Sequence, residues 1–370
     1  VNVFTIARVG VFLVGAYLVG MTLSAAVLTF VLPRSANVRL TRWIVGGLYL
    51  PFRWRANRSR TYQARDRVMA LYGPLILLVQ PVVWVAIVML GYMGMYWAMG
   101  ITDWSSALRL SGTSLFTLGS TSAPGVLMTL FSFSEAAIGL GLIALLIAYL
   151  PAIYNAFSRR ETEVAMLEIR AGSPPSATTL IARAHRLGRL EKLNELWLNW
   201  EFWFTEIEET HTSLSALVFF RSPQGDRSWI TAAGAVLDAA SLSASTLDIP
   251  KDVQADLCIR SGYLALRRIA DFFQIPYDKA PQPDDPISIS RIEFDAACQE
   301  LANQGVPLKS DLDRAWKDYS GWRVNYDTPL LALASLTMAP YAPWISDRSL
   351  RGQPPPSQPW QEEAEPRPEA

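Results

Sequence analysis

Side chains able to do chemistry are sparse and fall in a few places. Thr205–Ser213 reads TEIEETHTS and carries Glu206, Glu208, Glu209 and His211. Carboxylates and an imidazole at this spacing can bind a divalent metal or exchange protons. No HExxH pattern accompanies them, His185 is the only other histidine, and the same residues equally suit an acidic helix end in water or a contact between helices. Cys258 and Cys298 belong to no metal or redox motif and read as small buried residues in a reducing compartment. Trp197, Trp200 and Trp203 recur at helical spacing, a pattern of packing before it is a cofactor box. Arg109 and Glu135 are lone charges beside long apolar runs, where a charge is expensive and usually paired. Phe116–Gly125, FTLGSTSAPG, sets hydroxyls and glycines between two such runs. The chain has no glycine-rich dinucleotide fingerprint and no Walker loop, so the sequence predicts no enzyme, no cofactor and no bound metal.

The elements that must position these residues follow from the distribution of charge. The 370 residues have a formal net charge of zero, which argues against a nucleic-acid partner. The average hides an asymmetry: Val1–Phe157 holds fourteen charged residues, nine of them Arg between Pro33 and Val68, whereas charges are frequent from Ser158 onward. Three uncharged stretches are long enough to span a membrane: Val9–Pro33, Val68–Thr102 with its core at Leu75–Met99, and Ala136–Ser158. The Arg-rich loop between the first two belongs in the cytoplasm, and Arg159 and Arg160 after the third agree. The N-terminus is then outside and the charged half cytoplasmic, in a bacterial inner membrane. Reading the first span as a cleaved signal peptide would leave the Arg-rich loop outside, and the span is long for one. Trp43–Phe52 is too short to cross. It lies either at the inner interface, with Trp43, Trp54 and the Arg heads on anionic lipid, or buried against the spans.

Asp103–Ser134 joins the second span to the third on the outer side. Trp104–Thr117 reads as a short amphipathic helix, and Thr117-Leu118-Gly119-Ser120-Thr121 follows at once. The order of outward helix, short helix, Thr-x-Gly loop and inward helix resembles the pore-loop cation channels over roughly residues 68–160. Thr117, Leu118 and Gly119 match the first three positions of the TVGYG potassium filter, with Leu118 in place of Val; the carbonyl rings of that filter replace the ion's hydration shell. Ser120 stands in place of the aromatic residue and Thr121 in place of the second glycine. A β-branched residue does not take up positive φ cheaply, so the outer half of the loop is expected to be wider and wetter, with weak or absent potassium selectivity. Some members of that family brace the filter with an Arg–Glu pair, and the resemblance assigns that role to Arg109 and Glu135. The third span would line the pore, with Gly139, Gly141 and Pro151 as gate or hinge positions. The resemblance also implies a homotetramer, with monovalent cations, membrane lipids and copies of itself as partners.

The sequence therefore predicts an all-α membrane protein: three transmembrane helices, a re-entrant pore helix and loop, and a helical cytoplasmic domain. Its parts are 1–67 (first span and basic segment), 68–160 (outer helix, pore loop, inner helix), 161–347 (cytoplasmic domain, regulating the pore) and 348–370 (Pro/Glu-rich disordered tail). The third span is expected to continue to Gly172, with Pro174 and Pro175 as the stop. Further helices are expected at Leu187–Glu209, Ser228–Ala244, Val253–Phe273, Ile292–Gln304 and Asp327–Met338. Two readings of other classes stand beside the channel. One is a non-conducting membrane receptor or scaffold, favoured by Ser120 and Thr121; the other is a membrane-anchored enzyme centred on His211.

Overall fold

Runs of residues without charge become the three longest apolar helices. α1 (Val3–Phe30), α4 (Tyr72–Met99) and α6 (Val126–Ala171) are long and apolar enough to cross a membrane. The computed structural model describes residues 3–30, 39–59, 61–121 and 123–348. Among these the chain is helical, with an isolated bridge between Leu247 and Leu308 and no strand. The segment assigned to a disordered tail lies, beyond Arg348, outside the described residues. Contacts divide the chain into two units. The first joins Val1–Pro51 with Tyr72–Asn155, and the second joins Phe52–Leu71 with the chain from Ala156 onward.

In the first unit α1 packs on α4 through glycines. A Cβ on Gly15 would lie 2.4 Å from the Gly91 carbonyl oxygen, and one on Gly91 would lie 2.9 Å from that of Gly15. Small residues let apolar helices approach where no hydrophobic force drives them together. Val19, Trp84, Val88 and Met95 fill the contact, and Leu110 and Leu115 of α5 (Trp104–Leu115) join the same core. α5 begins at Asp103, whose carboxylate accepts from the Ser106 N–H at 2.9 Å and so caps the helix. α2 (Arg39–Asn57) extends the short helix expected at Trp43–Phe52 and leaves Trp43, Leu50 and Trp54 exposed.

The second unit is built around α9 (Trp229–Thr246), buried on almost every face, as a helix apolar all round must be. α7 (Ala177–Arg186), α8 (Leu193–Ser213), α10 (Val253–Phe272), α12 (Leu312–Arg323) and α13 (Asp327–Thr337) pack against it, and α11 (Arg291–Asn303) lies on α7 and α12. The one charge on α9, Asp238, is matched by Arg323, which donates to both its oxygens at 2.5 and 2.7 Å, to Asp327 at 2.8 Å and to the Trp344 carbonyl at 2.8 Å. A buried charge survives only when its hydrogen bonds are met in this way. α3 (Tyr62–Ala70) also belongs here: Arg221 lies 3.5 Å from Asp66 and donates to the carbonyls of Thr337 and Met338. The boundary expected at residue 67 is therefore replaced by an excursion of Phe52–Leu71 into the second unit.

α6 ends where Gly172 takes φ 80 and its N–H closes on the Glu168 carbonyl at 2.8 Å, the expected stop. Arg160, about three turns before that end, is buried and donates to the carbonyls of Leu217 at 2.8 Å and Phe220 at 2.7 Å. Its Nη1 is also 3.3 Å from His211 Nε2. A guanidinium only donates, so Nε2 is the acceptor and the imidazole proton sits on Nδ1, 3.1 Å from the Thr210 hydroxyl. Thr210 in turn donates to the Glu206 carbonyl at 2.7 Å. Burial first, and then the adjacent Arg160 charge, hold the His211 pKa well below 6.5, so the ring is neutral. The folded state thus resists a proton that the unfolded chain accepts, and stability is full above pH 6.5 and falls as pH drops below it. Thermal unfolding between pH 8 and pH 5 should show a loss below pH 6.5 of up to about 1.4 kcal/mol per pH unit, and His211→Gln should flatten that limb.

Candidate functional site

α5 runs back alongside α4 toward the middle of the first unit. Ser111 Oγ lies 2.9 Å from the Met89 carbonyl, ten residues before the end of α4, or about 15 Å at 1.5 Å per residue. The end of α5 meets α6 at Gly139, where a Cβ would fall 2.2 Å from the Leu115 carbonyl oxygen. Gly139 is thirteen residues, about 20 Å, from the start of α6. Only glycine permits that approach, whereas Gly141 has no neighbour within 4 Å of a Cβ. Phe116–Thr121 therefore begins deep between the two helix ends and returns to the start of α6. Pro151 lies inside α6, which is a single helix across it.

The loop itself is unusual in two respects. Thr117 has φ 55 and Gly119 has φ 65. Sequence reasoning placed the difficult residue at Thr121, but the β-branched residue in the left-handed region is Thr117, at a cost of roughly 1–2 kcal/mol. It is set there because the N–H groups of Thr117 and Leu118 close the end of α5 onto Ser114 at 3.0 Å and Thr113 at 2.8 Å. Beyond that point, among the described residues, no backbone hydrogen bond involves Gly119, Ser120 or Thr121. All residues from Phe116 to Thr121 are exposed in the single chain, including Phe116 at 53% and Leu118 at 69%. Carbonyl and hydroxyl oxygens that find no partner among the described residues are free to bond water or a hard cation.

Behind the loop lies a buried polar network in place of the expected ion pair. Glu135 is fully buried, and its two oxygens meet the Ser111 hydroxyl at 2.5 Å and the Tyr96 hydroxyl at 3.0 Å. Arg109 is exposed and makes no ion pair among the described residues. The Arg109–Glu135 brace is thus not formed within the chain. Residues two apart on a helix point about 200° from one another, so an α5 that turns Ser111 to Glu135 turns Arg109 away. Ser114 meets Ser132 at 2.6 Å and Tyr92 meets Ser134 at 2.8 Å, so two further hydroxyl contacts flank Glu135 and join α5 and α4 to α6. Ser111 has one hydroxyl hydrogen and faces two acceptors, the Met89 carbonyl and Glu135. Ser111 shares that hydrogen between the two, and Tyr96 donates to the other Glu135 oxygen. Sequence reasoning missed Ser111 and Tyr96 because it sought an opposite charge for Glu135, and hydroxyls supply the partners instead.

The other candidates disperse. Glu206 pairs with Arg159, Glu208 with Arg268, and Glu209 is exposed, while His211 turns inward against Arg160 and Trp229. Among the described residues no group of three or more His, Cys, Asp or Glu is arranged to hold a metal. Trp197, Trp200 and Trp203 are buried core, and both cysteines are buried and unbridged. Compared with protein-family models, curated proteins and solved structures, the chain finds no match.

The hydroxyl partners of Glu135 have a direct test. Glu135→Gln keeps both, since the amide donates to Ser111 and accepts from Tyr96. Glu135→Ala strands both hydroxyls and opens a cavity, at a cost of about 2–4 kcal/mol. Thermal unfolding of the detergent-solubilised protein should place the Gln variant close to the parent and the Ala variant well below it. Equal damage from both would refute hydroxyl bonding as what holds this side chain in place.

Proposed function

We propose that the chain is one subunit of a homotetrameric pore-loop cation channel with weak or absent potassium selectivity. The observation that carries this reading is the loop Phe116–Thr121: it starts about 15–20 Å from the ends of two long apolar helices, bears unpaired oxygens and is exposed in a single chain. Non-helical backbone at membrane depth is tolerated only when protein buries it or water reaches it. Copies of the chain around an axis satisfy both demands. They cover Phe116 and Leu118 and leave the oxygens of Thr117–Thr121 facing a wet path. In this reading α5 is the re-entrant pore helix, and the hydroxyl network around Glu135 braces the loop from behind.

The remaining parts take roles consistent with that core. α6 lines the path, with Gly139 locking it to α5 and Pro151 as the site of bending. α2 rests on the anionic headgroups of the inner face, because Trp43, Leu50 and Trp54 are exposed along it at spacings of seven and four, with Arg42, Arg53, Arg55 and Arg58 around them. The second unit lies in the cytoplasm and acts on the pore through α6, whose end it grips at Arg159 and Arg160. Selectivity is weak because the outer half of the loop offers the hydroxyls of Ser120 and Thr121 rather than a second glycine and an aromatic residue.

Proteoliposomes under potassium and sodium gradients test this reading. The expected reversal potentials give permeability ratios within a few-fold of one, with flux lost in Gly119→Val, which forces a β-branched residue into φ 65. No cation flux from the parent protein, or a strong potassium preference, would contradict it.

A further inference from the structure

The second unit contains a cleft of about 1020 Å3 over the C-terminal end of α9, at the upper end of the range for small-molecule sites. Trp197 and Leu247 line it and are buried. Ser243 lines it too, and its hydroxyl has no hydrogen-bond partner among the described residues although the residue is only 6% exposed. Buried hydroxyls are nearly always partnered, so one left open at a cleft points to a polar group of a ligand. α12 presents Arg314, Lys317, Asp318 and Trp322 to the same space, at the three- and four-residue spacings of one helix face.

The charges at the cleft sort into those already used and those left over. Lys309 donates to the Ala244 carbonyl at 3.0 Å and to that of Ser245 at 2.8 Å, closing the end of α9. Lys251 pairs with Asp256 at 3.3 Å, and Asp252 caps α10 by accepting from the Gln254 N–H at 2.9 Å. Arg314 and Lys317, and on the other sign Glu191 and Asp318, make no ion pair among the described residues. An anion alone would sit against Glu191 and Asp318, and a cation alone against Arg314 and Lys317. A molecule carrying both signs meets all four.

We propose that this cleft binds a zwitterion with an apolar body, that is, an amino acid or short peptide with a free ammonium and a free carboxylate. The carboxylate goes to Arg314 and Lys317, the ammonium to Glu191 and Asp318, and the body lies on Trp197 and Trp322. Trp197 stands on α8, the helix whose far end holds Arg159 through Glu206 and Arg160 through His211, so occupancy bears on the residues that grip α6. Binding itself does not rest on the channel reading.

The test is isothermal titration of the full-length protein in nanodiscs, against empty nanodiscs, with L-phenylalanine, Phe-Phe, N-acetyl-Phe-Phe and Phe-Phe amide. Saturable binding of a free-ended probe is expected, with each cap weakening the dipeptide at least about tenfold. The double variants Arg314→Gln/Lys317→Gln and Glu191→Gln/Asp318→Asn should each lose about tenfold or more, with thermal midpoints unchanged because all four residues are exposed. The proposal is overturned if neither free-ended probe binds saturably. It is equally overturned if the capped dipeptides bind as well as the free one, or if both variants bind like the parent.

Discussion

A backbone that leaves a helix within an apolar layer carries groups that lipid cannot satisfy. In the proposed channel this constraint governs the first unit. α5 can run back beside α4 only because its own hydrogen bonds are internal and its cap, Asp103, lies at its outer end. The residues after Leu115 have no such shelter. Their oxygens must meet an ion, water or another copy of the chain, and the glycine contact at Gly139 fixes where that need arises.

What holds the loop is a set of hydrogen bonds from hydroxyls rather than a salt bridge. An arginine and a glutamate buried together would each need desolvation and further partners. Glu135 instead meets two hydroxyls, and Ser114–Ser132 and Tyr92–Ser134 repeat the same kind of contact on either side. Such contacts are short and directional, and hydrogen bonds of this kind are stronger in a layer of low dielectric. The second unit makes the opposite choice. There Arg323 and Asp238 are buried as ions, each with enough partners to remain charged.

Much of the fold was legible in the sequence where one local signal decides the outcome. Uncharged runs marked α1, α4 and α6; Gly172 followed by Pro174 and Pro175 marked the end of α6; apolar spacing marked α5, α8 to α11 and α13. α8 begins six residues later than its periodicity suggested, because Leu190–Lys192 winds as a 3-10 turn first. α7 and α12 went unseen, since α7 is short and α12 is rich in charged residues whose burying partners are distant in sequence. α3 joins the second unit through Arg221, more than 150 residues downstream of Asp66, and no local pattern carries that information. At the site, the loop Thr117–Thr121 and the buried Glu135 were legible as residues. The left-handed Thr117, the neutral partners of Glu135 and the outward turn of Arg109 were not, because each depends on how α5 is rotated between its neighbours.

The proposed pore requires several copies of the loop to meet around one axis. The most direct measurement is the subunit count of the full-length protein in lipid nanodiscs or mild detergent, by native mass spectrometry. The account predicts a tetramer that persists in lipid. A monomer or dimer under the same conditions would leave Phe116–Thr121 with no copies to enclose it and would contradict the channel.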